Sequence, residues 1–291
     1  MEQNILKEHI SYMNRTLGFN NLVNNITTES IGSFISNITE FFSNKLSVLS
    51  ELFTSNVQTR LKFKSTDKLN AYVVELKNEL KKTSVFNTIT YGEIQKLQVP
   101  TVVGLNTTYP QAAKDILPLL DIIKNNTFNF LNILDVETSK LITDSDYRTK
   151  TRPEVNNFDI KDTTLELDKG LKKLFSSKRM SDIDNFGILF PNNSSVKTTA
   201  EILINAGSGI TLDNIKDLEE RIASIVEKIN VLVNQTKYKD YEISKETMKY
   251  YSALISDCSN YVTSCVSVIQ AYNQLVSILK VIIVTVYTKF N

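Results

Sequence analysis

Tryptophan is absent from this 291-residue chain, histidine occurs once, and there are two cysteines, five prolines and eight glycines. Each scarcity excludes something. So few glycines and prolines do not suit a turn-rich β protein and favour long uninterrupted helices. A single histidine, His9 on the apolar side of an N-terminal amphipathic stretch, cannot assemble a histidine metal site, so no metal or cofactor is expected. Cys258 and Cys265 lie on one predicted helix face, roughly 10.5 Å apart along its axis at about 1.5 Å per residue. Disulfide partners need Cα atoms within about 7 Å, so these two cannot bond to each other. They read as small core residues, with an intermolecular bridge across a parallel seam as the sharper alternative. A formal net charge of +1 lacks the basic excess of a dedicated nucleic-acid binder.

What the chain does have is helical periodicity. Apolar residues alternate at spacings of four and three through Leu254, Cys258, Tyr261, Cys265, Val268, Tyr272, Leu275, Leu279, Ile282 and Val286. The same pattern runs through Ile215, Leu218, Ile222, Ile225, Ile229 and Leu232. Both are heptad seams. The polar stretch 234–244 between them predicts an antiparallel helical hairpin, Thr211–Asn234 against Ser244–Phe290. In that hairpin Leu232 should face Thr247 and Tyr251, and Leu218 should face Tyr261 or Cys265. Leu218, Ile222, Ile225, Ile229, Leu254, Tyr261, Val268 and Leu275 are the candidate packing or interaction seam.

Upstream, Ile31, Ile35, Ile38, Phe42, Leu46, Leu49, Phe53, Val57 and Leu61 predict one long helix over residues 29–62, with an aromatic face that must be covered. A Lys-rich helix is expected over 67–82. Residues 85–103 are β-prone and suggest a small β-hairpin. Pro110 suits the first turn of a helix running to about Thr143, which Pro118 is placed to kink. The polar stretch 145–159, with Pro153, reads as a linker. A helix over 162–176, a loop over 177–193 and a short helix ending before Gly207 follow. The expected fold is mainly α, a long-helix bundle. Its regions are 1–145 (N-terminal helices), 146–210 (linker and short helices) and 211–291 (the hairpin packed on the N-terminal helices), forming one cooperative domain.

Enzymatic chemistry leaves little trace. Gly207-Ser208-Gly209 has neither the preceding strand nor the trailing Lys-Ser/Thr of a phosphate loop. The acid pairs Asp144/Asp146 and Asp182/Asp184 fall in predicted turns, where capping explains them. No catalytic, cofactor-binding or metal residues are assigned, and the chain is read as a non-enzyme. Leu275–Phe290 asks for more than a core. It is apolar nearly all round, with Lys280 its one charge before Lys289, yet shorter than the ~20 residues of a spanning helix. Leu279, Ile282, Ile283 and Val286 are therefore the candidate membrane or partner segment, and the β-branched run 282–286 leaves a terminal strand open. No secretory signal opens the chain.

The aromatic helix Phe34-Ile-Ser-Asn-Ile-Thr-Glu-Phe-Phe-Ser-Asn-Lys-Leu46, the Lys-rich helix after it, and a composition rich in Asn, Thr, Ile and Lys carry a resemblance. In these the chain resembles helical structural proteins of large tailed-phage virions, including internal head proteins. The resemblance implies a non-enzymatic bacteriophage component packed in or on a particle, found in the virion or the cytoplasm of the infected host. Its partners would be other proteins, itself included, with no specific nucleic acid. The alternative expectation is a membrane-active α-helical protein resembling helical pore-formers, with Leu275–Phe290 as its inserting segment.

Overall fold

The computed structural model describes residues 31–64, 103–105, 107–149, 160–179, 198–203, 211–236 and 241–290. The elements are α1 (Ile31–Glu40), a π-helical turn (Phe41–Leu46), α2 (Ser47–Lys64), β1 (Val103–Leu105), α3 (Tyr109–Thr143), α4 (Ser145–Thr149), α5 (Ile160–Leu174), β2 (Phe175–Arg179), α6 (Leu212–Gln235) and α7 (Lys245–Phe290). The protein is a mainly α, long-helix bundle, as the periodicity predicts.

α1, the π turn and α2 form one continuous helical arm, the long helix expected over 29–62. Its aromatic stripe is buried: Phe34, Phe41, Phe42 and Phe53 all lie in the core. The π turn lets Phe41 and Phe42 both turn inward, edge to face at 5.2 Å between ring centroids. α3 begins with Pro110 in its first turn and runs through Pro118 without interruption. The first turn of α6 carries a capping box, in which Thr211 Oγ1 accepts from Asn214 N and the Asn214 side chain accepts from Thr211 N.

Side-chain bonds between helices fix their directions. Thr127 and Thr138 of α3 meet Tyr261 and Tyr251 of α7, so these two helices run antiparallel. Asn132 of α3 meets Arg221 of α6, and Asp135 meets Lys228 at 2.6 Å, so α3 and α6 run parallel. Phe34 packs on Tyr251 and Ser55 bonds to Asn273, so the arm runs parallel to α7. The arm and α3 each contact both α6 and α7, whereas α6 and α7 are not packed along one another. The section is thus a square, with α6 diagonal to α7 and the arm diagonal to α3.

That arrangement keeps the antiparallel direction expected of α6 and α7 but corrects their facing partners. Tyr261 lies against Thr127, Ile123 and Phe130 of α3, not against Leu218. Tyr251 lies against Thr138 and Phe34, and Thr247 donates to the Tyr147 carbonyl. The physical reason is the width of the stripe on α7. Ser259, Val262, Ser264, Val266, Ser267 and Ile269 are buried as well as the seam, so this helix is covered on nearly every side. A two-helix seam would leave them in water.

α5 covers the remaining side of α7. Lys161 pairs with Asp257 at 3.5 Å, and Ser264 Oγ donates to Asp168 Oδ1 at 2.7 Å. β2 follows α5 directly and pairs antiparallel with β1, with an irregular register between Val103↔Arg179 and Leu105↔Phe175. The periodicity predicts this helix over 162–176 with a loop over 177–193; Phe175–Arg179 is instead a strand. Val103 belongs to this pairing with Phe175–Arg179, while residues 85–102, the rest of the predicted hairpin, lie outside the described residues. So do His9, the 67–82 helix and Asp182/Asp184.

α5 approaches α3 closely at Gly170. A Cβ there would stand 2.3 Å from Leu119 Cδ2. Leu119 is itself buried, so it has little room to move. Alanine gains about 0.8–1.0 kcal/mol of helix propensity over glycine, but overpacking costs about 1–3 kcal/mol. Gly170→Ala should therefore lower stability by roughly 1 kcal/mol in a urea melt, and Gly170→Val by more. A more stable Gly170→Ala protein would show that α5 does not seat on Leu119.

Candidate interaction site

The predicted seam is now locatable. Leu218, Ile222, Ile225 and Ile229 of α6, and Leu254, Tyr261, Val268 and Leu275 of α7, are all buried in one core. The structure brings them together as the interior of a single chain, closed off from outside partners while the bundle is intact. Leu279 is buried too. Ile282, Ile283 and Val286 continue the same helix, which closes the option of a terminal strand. Their side chains, and that of Lys280, lie outside the described residues. No helix among the described residues is long and apolar enough to cross a membrane.

Polar groups in this core are tied in pairs. Thr127 Oγ1 donates to Ile123 O at 2.7 Å and stands 3.1 Å from Tyr261 Oη, which donates to the same carbonyl at 3.3 Å. Thr138 bonds to Tyr251. Tyr272 Oη donates to Leu203 O at 2.7 Å, holding the 198–203 helix. Burial pushes the pKa of the Tyr109, Tyr251 and Tyr261 hydroxyls above that of an ordinary phenol. It does the same to the Cys258 and Cys265 thiols. These groups stay protonated, and protonated thiols are poor nucleophiles. Both cysteines are free and buried, so a bridge to a second copy's thiol is closed to them while the bundle stands.

A second cluster sits where the α6–α7 connection crosses the C-terminal end of α3. Arg148 Nη1 donates to Leu141 O at 3.1 Å and Ile142 O at 3.0 Å, two of the carbonyls a helix end leaves open. Tyr241 Oη also donates to Leu141 O, and the Arg148 guanidinium lies 4.5 Å from the Tyr241 ring centroid. Ser244 N donates to Arg148 O at 2.8 Å. Tyr147 is buried with its hydroxyl on the Glu137 carboxylate, which Lys140 holds at 2.8 Å. The first residues of the predicted linker are therefore a helical clasp that routes the chain diagonally across the bundle end. Asp144 acts as the turn-former expected, accepting from Tyr147 N at 2.9 Å.

A fully buried side chain on α2 breaks the pattern. Asn56 on α2 is fully buried, and neither its Nδ2 nor its Oδ1 has a hydrogen-bond partner. An unbonded buried amide costs about 1–3 kcal/mol, while an apolar group of similar shape costs nothing of the kind. Asn56→Leu should therefore stabilise the protein by about 1–3 kcal/mol, read as a higher denaturant midpoint at unchanged slope. A destabilised Asn56→Leu protein would mean that the amide makes bonds in solution.

Periodicity could have found part of this. Thr127 and Thr138 fill the steps of the α3 stripe between Ile123, Phe130, Leu134 and Leu141, so their hydroxyls had to be buried. Nothing in the sequence marked Arg148 or Tyr241, whose partners are backbone carbonyls. Among the described residues no group of three or more His, Cys, Asp or Glu converges as a metal site.

The described residues define a mainly α helical-bundle protein. Compared with family models, with curated proteins and with solved structures, the chain matches none of them.

Proposed function

We propose that this is a non-enzymatic helical structural or assembly protein that works by presenting helix surfaces to protein partners. The resemblance to tailed-phage structural proteins supports a virion setting. The observation that carries the reading is the length of α7, 46 residues against 35 for α3 and 24 for α6. Tyr261 is level with Thr127, so Tyr109 at the start of α3 is level with the residues near Leu279 of α7. Ser55 is level with Asn273, so the arm ends near the same height. The apolar helix Val281–Phe290 therefore runs on beyond both, by roughly two to three turns at 3.6 residues per turn. A helical extension of that kind suits a partner groove.

The test is a chain ending after Lys280, compared with the full chain. Both should give the same helical circular dichroism. The full chain should co-sediment in fixed ratio with the particle from its native source, and the shortened chain should not. Equal incorporation would remove the extension from the interaction. A full chain that floats with liposomes and releases an entrapped dye would replace this reading with the membrane-active one.

A further inference from the structure

Leu165 of α5 faces outward. It is 48% exposed, while Leu167, Leu171 and Leu174 of the same helix are buried. Lys161 and Lys169, four residues before and after it, share its stripe of the helix and are exposed. The exposed acids of α5, Asp162 and Glu166, sit to one side of that stripe. The outward face of α5 is therefore an apolar knob with a cation at each end. Lys161 also reaches Asp257 at 3.5 Å, a surface bridge of little strength.

α6 carries the matching feature. Glu220, Ala223, Ser224 and Glu227 are all exposed. Their spacing, i, i+3, i+4 and i+7, is that of a hole that receives one side chain from a facing helix. The two middle residues are small, which leaves the hole open, and its two ends are carboxylates. Lys216 approaches Glu220 at 3.8 Å, again on the surface. The neighbouring cations of α6 are turned toward α3, Arg221 onto Asn132 and Lys228 onto Asp135. Seating Leu165 in the hole sets Lys161 and Lys169, roughly 12 Å apart along their helix, beside Glu220 and Glu227, roughly 10.5 Å apart. Within one chain the two features cannot meet. α5 packs on α7 and α3, whereas α6 packs on α3 and the arm, so their outward faces point to different sides of the bundle.

We propose that the α5 knob of one copy docks in the α6 hole of a second copy, with Leu165 between Glu220 and Glu227 and the lysines on the carboxylates. The contact is head-to-tail. Each copy offers one knob and one hole, so it repeats into a row of molecules or closes as a ring. Two crossing helices bury little surface, so the association is weak and is favoured by high protein concentration and low salt. The inference rests on the assembly reading and deepens it by naming a second copy as a partner. Its test uses purified full-length protein alone, so its failure is distinct from a failure to join a particle.

The test is sedimentation velocity on wild type, Lys169→Glu, Glu227→Lys and Leu165→Glu. All three positions are exposed, so each variant should keep the wild-type melting temperature. Wild type should associate as its concentration rises. Raising the salt from about 0.01 M to about 1 M, which shortens the Debye length from about 30 Å to about 3 Å, should weaken that association. Lys169→Glu sets acid against acid and Glu227→Lys sets base against base, so each alone should associate roughly tenfold more weakly. Mixed in equal amounts, the two should regain wild-type association, because each face of one now complements a face of the other. Leu165→Glu should stay monomeric. Wild type that remains monomeric at low salt and high concentration overturns the proposal. So does association that the reversals leave unchanged, or a mixture that associates no better than its components.

Discussion

Ile225→Asp should lower stability by at least about 4 kcal/mol, enough to unfold much of the population. Ile225 sits on α6 and is 1% exposed, where α6 meets the arm and α3. The substitution removes a buried branched side chain and puts a carboxylate where no cation is placed by the seam, which is apolar along Leu218, Ile222 and Ile229. Loss of the apolar side chain alone costs about 2–5 kcal/mol, and the unpaired charge adds to it. The control lies on the same helix. Asp217 is half-exposed and pairs with Arg221 at 3.0 Å, an i,i+4 surface bridge. Asp217→Ala should change stability by no more than about 0.5 kcal/mol. Thermal melts of both variants, with size-exclusion profiles, separate two outcomes. A lost melt places Ile225 in the chain's own core. A folded Ile225→Asp monomer that has lost only self-association would make the seam intermolecular.

Alkaline unfolding should be the other large effect. Burial holds the pKa of Tyr109, Tyr251, Tyr261, Cys258 and Cys265 above the ordinary value of each group. In the unfolded chain the thiols titrate near about 8.5 and the phenols near about 10. Above those values the unfolded state loses protons that the folded state keeps, so folding stability falls as pH rises. Below them both states are protonated and the contribution is flat. Each group removes about 1.4 kcal/mol for every pH unit above its unfolded value, until its folded value is reached. By pH 11 the two thiols and three phenols together remove on the order of 10 kcal/mol, comparable with the whole stability of a domain. The melting temperature should hold from pH 7 to about pH 8 and then fall steeply, with cooperative unfolding by about pH 11. Tyr251→Phe and Cys258→Ala should each make the fall shallower. A melting temperature unchanged between pH 8 and pH 11 would mean that these groups reach water in the folded protein.

The helices themselves were legible because burial repeats with the helical period. The stripes through Phe34–Val57, Ile116–Leu141, Leu218–Leu232 and Leu254–Leu279 are the stripes that face the core. What periodicity does not carry is which stripe meets which. α6 and α7 are joined by a short connection and both bear heptad seams, so pairing them was the simplest reading. The diagonal arrangement depends on Arg148 and Tyr241 capping α3 and on Ser244 N reaching Arg148 O, contacts between side chains and backbone that leave no spacing signal. β2 was hidden for a similar reason. Phe175–Arg179 is too short to show alternation, and it is a strand because β1 is there to pair with it. Asn56 was invisible as a core residue because its neighbour Val57 occupies the expected apolar step.

The bundle places α7 at its centre, with α3, α5 and the arm packed around it, and that placement can be measured by amide hydrogen exchange resolved along the chain. Amides of α7 between Tyr251 and Val276 should exchange only through global unfolding, with the highest protection in the protein. Those of α1 and α2 should open at lower free energy, and those of the half-exposed α6 should fall between. Exchange from α7 as fast as from α6, or slower exchange in the arm than in α7, would contradict a central α7.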